Sequence, residues 1–153
     1  MNLLVDADAC PVVRIIEKVA KEYGIKVILF VDTSHRMESD YSEVVTVSKG
    51  MDAVDFAVIQ RGKKGDLVVT QDYGVAAMAL GKGLLALHQS GKQYTNENID
   101  QMMFERHLAK KARRSSSHYH GKGPKKRTKE DDEHFEIALR RLLEENKKSQ
   151  LHQ

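Results

Sequence analysis

A single cysteine, Cys10, stands in the whole chain. It excludes an intramolecular disulfide and any zinc site built from several thiolates. Long apolar runs are missing too: no stretch approaches the roughly 20 residues that a membrane helix needs. The first residues lack a basic segment, an apolar stretch and a cleavage site in the order of a secretion signal. Met1 to Asp6 reads instead as a short strand running straight into Asp6 and Asp8. These absences point to the reducing cytoplasm and away from a membrane. What remains is 153 residues, enough for one buried core. Apolar residues make up 41% and charged ones 31%, a charge-rich balance whose cause is local.

The net charge of +3 hides an asymmetry. Residues 1–105 carry 11 Lys/Arg against 15 Asp/Glu, whereas residues 106–153 carry 14 against 7. Between Lys110 and Lys129 nine basic residues occur with no acid. A basic segment beside an acidic body suggests a polyanionic partner, because phosphate contacts dominate nucleic-acid affinity. A solvated tail that keeps the protein soluble accounts for the same charges.

Short apolar runs alternate with longer amphipathic stretches, the pattern of strands and helices in turn. Asn2–Val5 reads as strand, and Pro11 suits the start of a helix whose apolar face is Val12, Val13, Ile15, Ile16, Val19 and Ala20. Lys26–Val31 is nearly all apolar, as expected of a strand buried on both faces. Val44–Val47, Asp66–Thr70 and Leu84–His88 complete five predicted strands. Helices are expected over Ala53–Gln60, over Gly74–Gly81 and from about Asn96 to Arg113. Thr128 with Asp131 resembles a capping box that opens a last amphipathic helix through Phe135, Leu139, Leu142 and Leu143. The expected fold is a three-layer α/β/α sandwich on a mostly parallel five-stranded sheet. The expected organisation is an α/β domain over 1–113, a basic linker over 114–128, and a C-terminal helix over 129–148. Ligands in such sheets bind outside the carboxyl ends of the strands, where strand order reverses.

Aspartates gather at that edge. Asp6 and Asp8 lie at and just past the end of the first strand, and Asp72 two residues past the fourth. Asp52 and Asp55 open the crossover helix and, at i and i+3, share one of its faces. Crowded carboxylates repel one another unless a cation neutralises them, and hard oxygen ligands select Mg²⁺ or Mn²⁺. Such an ion activates water and offsets charge on phosphate oxygens. Each residue also has a structural explanation. Asp52 is a good helix cap, Asp55 suits the first turn, Asp8 can cap the helix near Pro11, and Asp72 can cap the one at Gly74. Asp6 alone has no capping task.

Other residues carry less. Cys10 near a helix start invites a nucleophilic thiolate, but no histidine partner is identifiable from spacing. His118 and His120 sit in the basic link and add to its positive charge rather than forming a metal site. Arg106, Arg113 and Arg114, at i, i+7 and i+8, form a candidate basic stripe with Lys110, followed in the chain by Lys125, Lys126 and Arg127. Lysines and arginines of this set are the candidate nucleic-acid contacts.

The segments Val5-Asp6-Ala7-Asp8-Ala9-Cys10-Pro11, Gly50-Met51-Asp52-Ala53-Val54-Asp55 and Gly65-Asp66-Leu67-Val68-Val69-Thr70-Gln71-Asp72 together resemble the signature of the bacterial YaiI/YqxD family. The resemblance covers nearly the whole chain, least well in the basic linker and last helix. It implies a relation to PIN-like nucleases, with a Rossmann-like sandwich and acidic residues gathering one or two Mg²⁺ or Mn²⁺ ions. Carried over, the first-strand acid is Asp6 with Asp8 beside it, the crossover-helix acid is Asp52 or Asp55, and the acid after the fourth strand is Asp72. The sequence departs from the family at Gly74, where many members have proline, and at Ser90-Gly91, where many have Arg-Gly.

Three functions fit. One is a metal-dependent nuclease, acting on RNA by the PIN-like analogy, with Asp6, Asp8, Asp55 and Asp72 as catalytic groups and Asp52 as a further metal ligand. Another is a non-catalytic nucleic-acid binder or adaptor. The third is a phosphatase with an aspartyl nucleophile, suggested by Asp6-Ala7-Asp8. That chemistry also needs a Gly-Asp at a strand's carboxyl end, and Gly65-Asp66 falls at the amino end. The oligomeric state is open.

Overall fold

The computed structural model describes residues 1–50, 52–115 and 126–151. The described residues form six strands and five helices in the order β1 (Leu3–Asp6), α1 (Val13–Tyr23), β2 (Val27–Asp32), β3 (Glu43–Val47), α2 (Ala53–Arg61), β4 (Leu67–Val69), α3 (Tyr73–Gly81), β5 (Leu85–Leu87), β6 (Gln93–Tyr94), α4 (Ile99–Ser115) and α5 (Lys129–Leu151). The sheet order is β3-β2-β1-β4-β5-β6. The first five strands run parallel and only β6 is antiparallel, paired to β5. The expected α/β/α sandwich is therefore present, with one strand more than the five anticipated. The extra strand is two residues long and lies inside a polar stretch, where no apolar alternation marks it.

Strand alternation divides the core into two layers. Leu3, Val5, Val27, Leu29, Val31, Leu67, Val69 and Leu87 point to one face, covered by Ile16, Val19 and Ala20 of α1 and by Phe135, Leu139, Leu142 and Leu143 of α5. Leu4, Ile28, Phe30, Val68, Ala86 and Tyr94 point to the other, against Val58 of α2, Val75, Ala76 and Ala79 of α3, and Ile99 of α4. Both faces of β1, β2 and β4 are buried, which explains their unbroken apolar runs.

The C-terminal helix thus supplies four large side chains to the same layer as α1. Its start matches the capping box: the Thr128 N–H donates to Asp131 Oδ2 at 2.8 Å and the Asp131 N–H to Thr128 Oγ1 at 3.3 Å. Charge pairs along its flank join it to α1, Lys18 to Glu136 and Arg140 to Glu22. At the β5–β6 turn, Gly91 sits at φ +92°, where a β-carbon would come within 2.8 Å of the His134 carbonyl oxygen. Only glycine lets the turn lie this close to α5. Among the described residues no helix is long and apolar enough to cross a membrane.

Candidate functional site

Strand order sets the location. The chain leaves β1 towards β2 on one side and leaves β4 towards β5 on the other, so β1 and β4 flank the point where the order reverses. Loops from their carboxyl ends diverge there and open a crevice. Asp6 closes β1, and Asp72 caps α3 just past β4.

Hydrogen bonds tie the two loops together. The Asp72 N–H donates to Thr70 Oγ1 at 3.0 Å, and that hydroxyl donates to Asp6 Oδ2 at 3.1 Å. Asp72 Oδ1 accepts from the Gly74 and Val75 amides at 2.8 and 3.2 Å, so the capping role anticipated for it is real. Its other oxygen carries no hydrogen bond among the described residues and remains available to a ligand.

Asp8 does not cap α1, which begins at Val13 behind an N-cap, Val12, that offers no side-chain bond. Its Oδ2 instead accepts from the Asp32 amide at 3.1 Å. Its Oδ1 is buried without a hydrogen bond, with His35 Nδ1 3.1 Å away as a charge partner when the ring is protonated. The turn that follows is strained, with Ala9 at φ +57°. Asp52 likewise makes no side-chain cap and adopts φ +63°. Asp55 occupies the first turn of α2.

These carboxylates sense one another. Burial raises Asp6 above the ordinary aspartate range; the Thr70 bond opposes that rise, and the Asp8 and Asp72 charges add to it. Asp55 is pushed up to about 6, by burial first and then by Asp72, Asp6 and Asp52. The site therefore holds more negative charge than the protein alone neutralises. A buried Asp8 oxygen without a hydrogen bond, beside further carboxylates, fits a hard divalent cation such as Mg²⁺ or Mn²⁺. Among the described residues, however, only Asp8, Asp32 and His35 bring ligand-type atoms within 4.8 Å of one another; Asp6, Asp55 and Asp72 are not drawn that close.

A cavity of about 760 Å³ opens over the edge, lined by Asp6, Asp8, Gln71, Asp72, Tyr73, His88, Met102, Glu105 and Arg106. A smaller one of about 310 Å³ holds Asp52 and Asp55 with Phe56 and Met78, and Asp72 forms part of both walls. The Arg106 guanidinium lies 5.3 Å from the centre of the Tyr73 ring. Among the described basic residues singled out from the sequence, Arg106 is the one that lines the acidic cavity. Lys110, Arg113 and Arg114 are exposed further along α4, and Lys126 is exposed ahead of α5. Arg127 is engaged internally, donating to Asp132 Oδ1 at 2.7 Å and to the Gln89 carbonyl at 2.9 Å. Lys125, His118 and His120 lie outside the described residues.

Sequence reasoning missed three residues. Asp32 ends β2 at the same sheet edge and is held at about 2, chiefly by the Ser34 hydroxyl and amide and then by His35. Asp8, Asp32 and His35 bring one ligand-type atom each within 4.8 Å of the others. Asp32 was findable by the same strand-end rule that selects Asp6. His88, the third, lies just past β5 on the cavity wall. Cys10 is a poor nucleophile here, since burial pushes its thiol up. Asp66, the acid that the phosphatase needs, is committed at the opposite end of the sheet, accepting from the Asn2 and Lys63 amides at 2.9 Å each.

Relatives share this chain nearly end to end. The UPF0178 protein of Clostridium acetobutylicum is 63% identical over 143 residues, covering 94% of this chain and 97% of its own. That of Lachnoclostridium phytofermentans is 60% identical over 144 residues, with 94% and 97% covered. The crystal structure of Rae1 (YacP) from Bacillus subtilis overlays with a TM-score of 0.44 at 17% identity, over 78% of this chain and 87% of that one, too distant a likeness to argue from. The family described as "Uncharacterized BCR, YaiI/YqxD family" matches residues 4–145, and the chain belongs to it.

Proposed function

We propose that this protein is a Mg²⁺- or Mn²⁺-dependent phosphodiesterase that cleaves RNA in the cytoplasm. The observation that carries the proposal is the convergence of Asp6, Asp8 and Asp72 on one cavity at the strand-order switch, with Arg106 also lining it and Asp55 adjoining. Asp6, Asp8, Asp55 and Asp72 hold the cation in this proposal, and Asp52 adds charge from the start of α2. When bound, the cation supplies Lewis acidity, which activates water and offsets charge on the phosphate oxygens. The protein's own groups do the positioning. Thr70 holds Asp6 to the Asp72 loop, the α3 amides orient Asp72, and Arg106 faces the phosphate. Beyond the cavity, Arg106, Lys110 and Arg113 recur at i, i+4 and i+7 on α4, a face suited to following a phosphate backbone. RNA is preferred to DNA on the PIN-like resemblance of the sequence motifs.

Calorimetric titration of Mg²⁺ and Mn²⁺ into wild type and Asp6→Asn, followed by cleavage of mixed single-stranded RNA, tests the proposal. Binding and cleavage that are both lost in the mutant support it. RNA binding without metal binding, equal in both proteins, replaces it with the non-catalytic binder.

A further inference from the structure

His88 stands on the cavity wall with Asp6, Asp8, Asp72 and Arg106, and the proposed cation chemistry leaves it without a role. Its surroundings determine which ring nitrogen carries the proton. The Ser90 amide, which can only donate, lies 3.0 Å from His88 Nδ1. Ser90 Oγ lies 2.8 Å from the same nitrogen, and this oxygen already accepts from the Lys92 amide at 3.3 Å, so its hydroxyl proton is free to point at Nδ1. Two donors directed at Nδ1 make it an acceptor, and the proton of the neutral ring sits on Nε2.

The ring is also held in place. The His88 N–H donates to the Lys92 carbonyl and the Gly91 N–H to the His88 carbonyl, both at 2.9 Å, which closes the β5–β6 turn. Tyr94 packs against the imidazole edge-on with centroids 6.0 Å apart. Burial, then the charges of Arg127 and Lys92, keep the ring below the ordinary histidine pKa. A neutral imidazole is a poor proton donor but a good fixed hydrogen-bond donor.

We propose that His88 is a substrate-contacting residue whose Nε2–H donates to a non-bridging oxygen of the phosphodiester lying between the aspartates and Arg106, with Ser90 as its positioning residue. The assignment rests on the phosphodiesterase proposal for its substrate class, and it gives His88 no role in moving protons. The bond is made to the bound phosphodiester before any reaction, so its loss is read in affinity.

Two substitutions separate the ring nitrogens. His88→Asn places an amide oxygen near the former Nδ1, keeping the bond from the Ser90 amide, and leaves nothing at Nε2. His88→Gln carries an amide donor out to the position of Nε2. Affinity for a single-stranded RNA oligonucleotide in Ca²⁺, used in place of Mg²⁺ or Mn²⁺ so that the RNA stays intact, read by fluorescence anisotropy, should fall about tenfold in His88→Asn and stay near wild type in His88→Gln. Melting temperature identifies a variant that has lost its fold, and ¹⁵N spectra of the wild-type imidazole give the tautomer independently of any variant. Equal affinity in wild type and a folded His88→Asn overturns the assignment, as does a protonated Nδ1 in the neutral ring. If wild type binds the oligonucleotide but cleaves no RNA, the hydrolase proposal fails while the affinity ratio still decides His88. If wild type does not bind the oligonucleotide, both fail.

Discussion

Removing a charge from the site should stabilise the protein, and Asp55→Asn is the cleanest case. Asp55 titrates at about 6 in the folded chain against an ordinary 3.8, raised by burial and by Asp72, Asp6 and Asp52. The sign follows from proton linkage. Between the two pKa values the folded state binds more protons than the unfolded one, so stability falls as pH rises through that window. The penalty is absent below about pH 4 and complete above about pH 6. A shift of about two units has a ceiling of about 3 kcal/mol. Much of Asp55 is open to solvent, and screening brings the expected effect down to about 1 kcal/mol. Urea unfolding in EDTA should therefore find Asp55→Asn more stable than wild type by about 1 kcal/mol at about pH 7.5, and equal to it at about pH 4. The difference between the proteins is the quantity to read, because Asp32, Glu22 and Glu136 are all held low and give wild type an opposite slope in acid. Mg²⁺ at ten times its Kd adds about 1.4 kcal/mol to the protein that binds it, which should cancel or reverse the advantage of the mutant. A mutant less stable than wild type by the same amount at every pH would show that Asp55 serves as a helix residue and not as one member of a repelling cluster.

Further outcomes follow from the site's other parts. Asp72→Asn should preserve the α3 cap and weaken Mg²⁺ binding by calorimetry, whereas Asp72→Ala should cost about 1 kcal/mol of stability in addition; equal stability of the two variants would mean that the cap contributes nothing. Arg106→Gln should weaken RNA binding and reduce its log–log salt slope by about 1. Arg127→Ala should instead lower stability by about 1 kcal/mol through lost contacts to Asp132 and the Gln89 carbonyl. If Arg127→Ala changes the salt slope and Arg106→Gln does not, the polyanion path runs past α5 and not along α4.

Sequence periodicity revealed the fold well where burial is two-sided. The apolar runs of β1, β2 and β4 mark them as central, and the turns between helices and strands are punctuated by glycine and capping residues. It failed at β6, because two residues leave no period to detect and Tyr94 is held by packing and by the bond from its hydroxyl to the Thr70 carbonyl. The attachment of α5 was equally hidden. An amphipathic stripe shows that a helix needs a partner but not which one, and the partner, α1, lies more than a hundred residues earlier in the chain. The same limit governs the site. Asp6 and Asp72 could be found because a strand-end rule names positions along one edge, and Asp32 obeys that rule equally. His88 follows no such rule, since its relevance comes from a two-residue hydrogen-bond pattern that orients a ring on the wall of the cavity the aspartates share. Charge tallies mislead in a related way, treating Arg106 and Arg127 alike. The fold points one guanidinium into the acidic cavity and uses the other to tie α5 to the turn that carries His88. Sequence thus locates the groups whose position depends on the sheet, and leaves unseen those whose position depends on how loops from opposite ends of the chain meet above it.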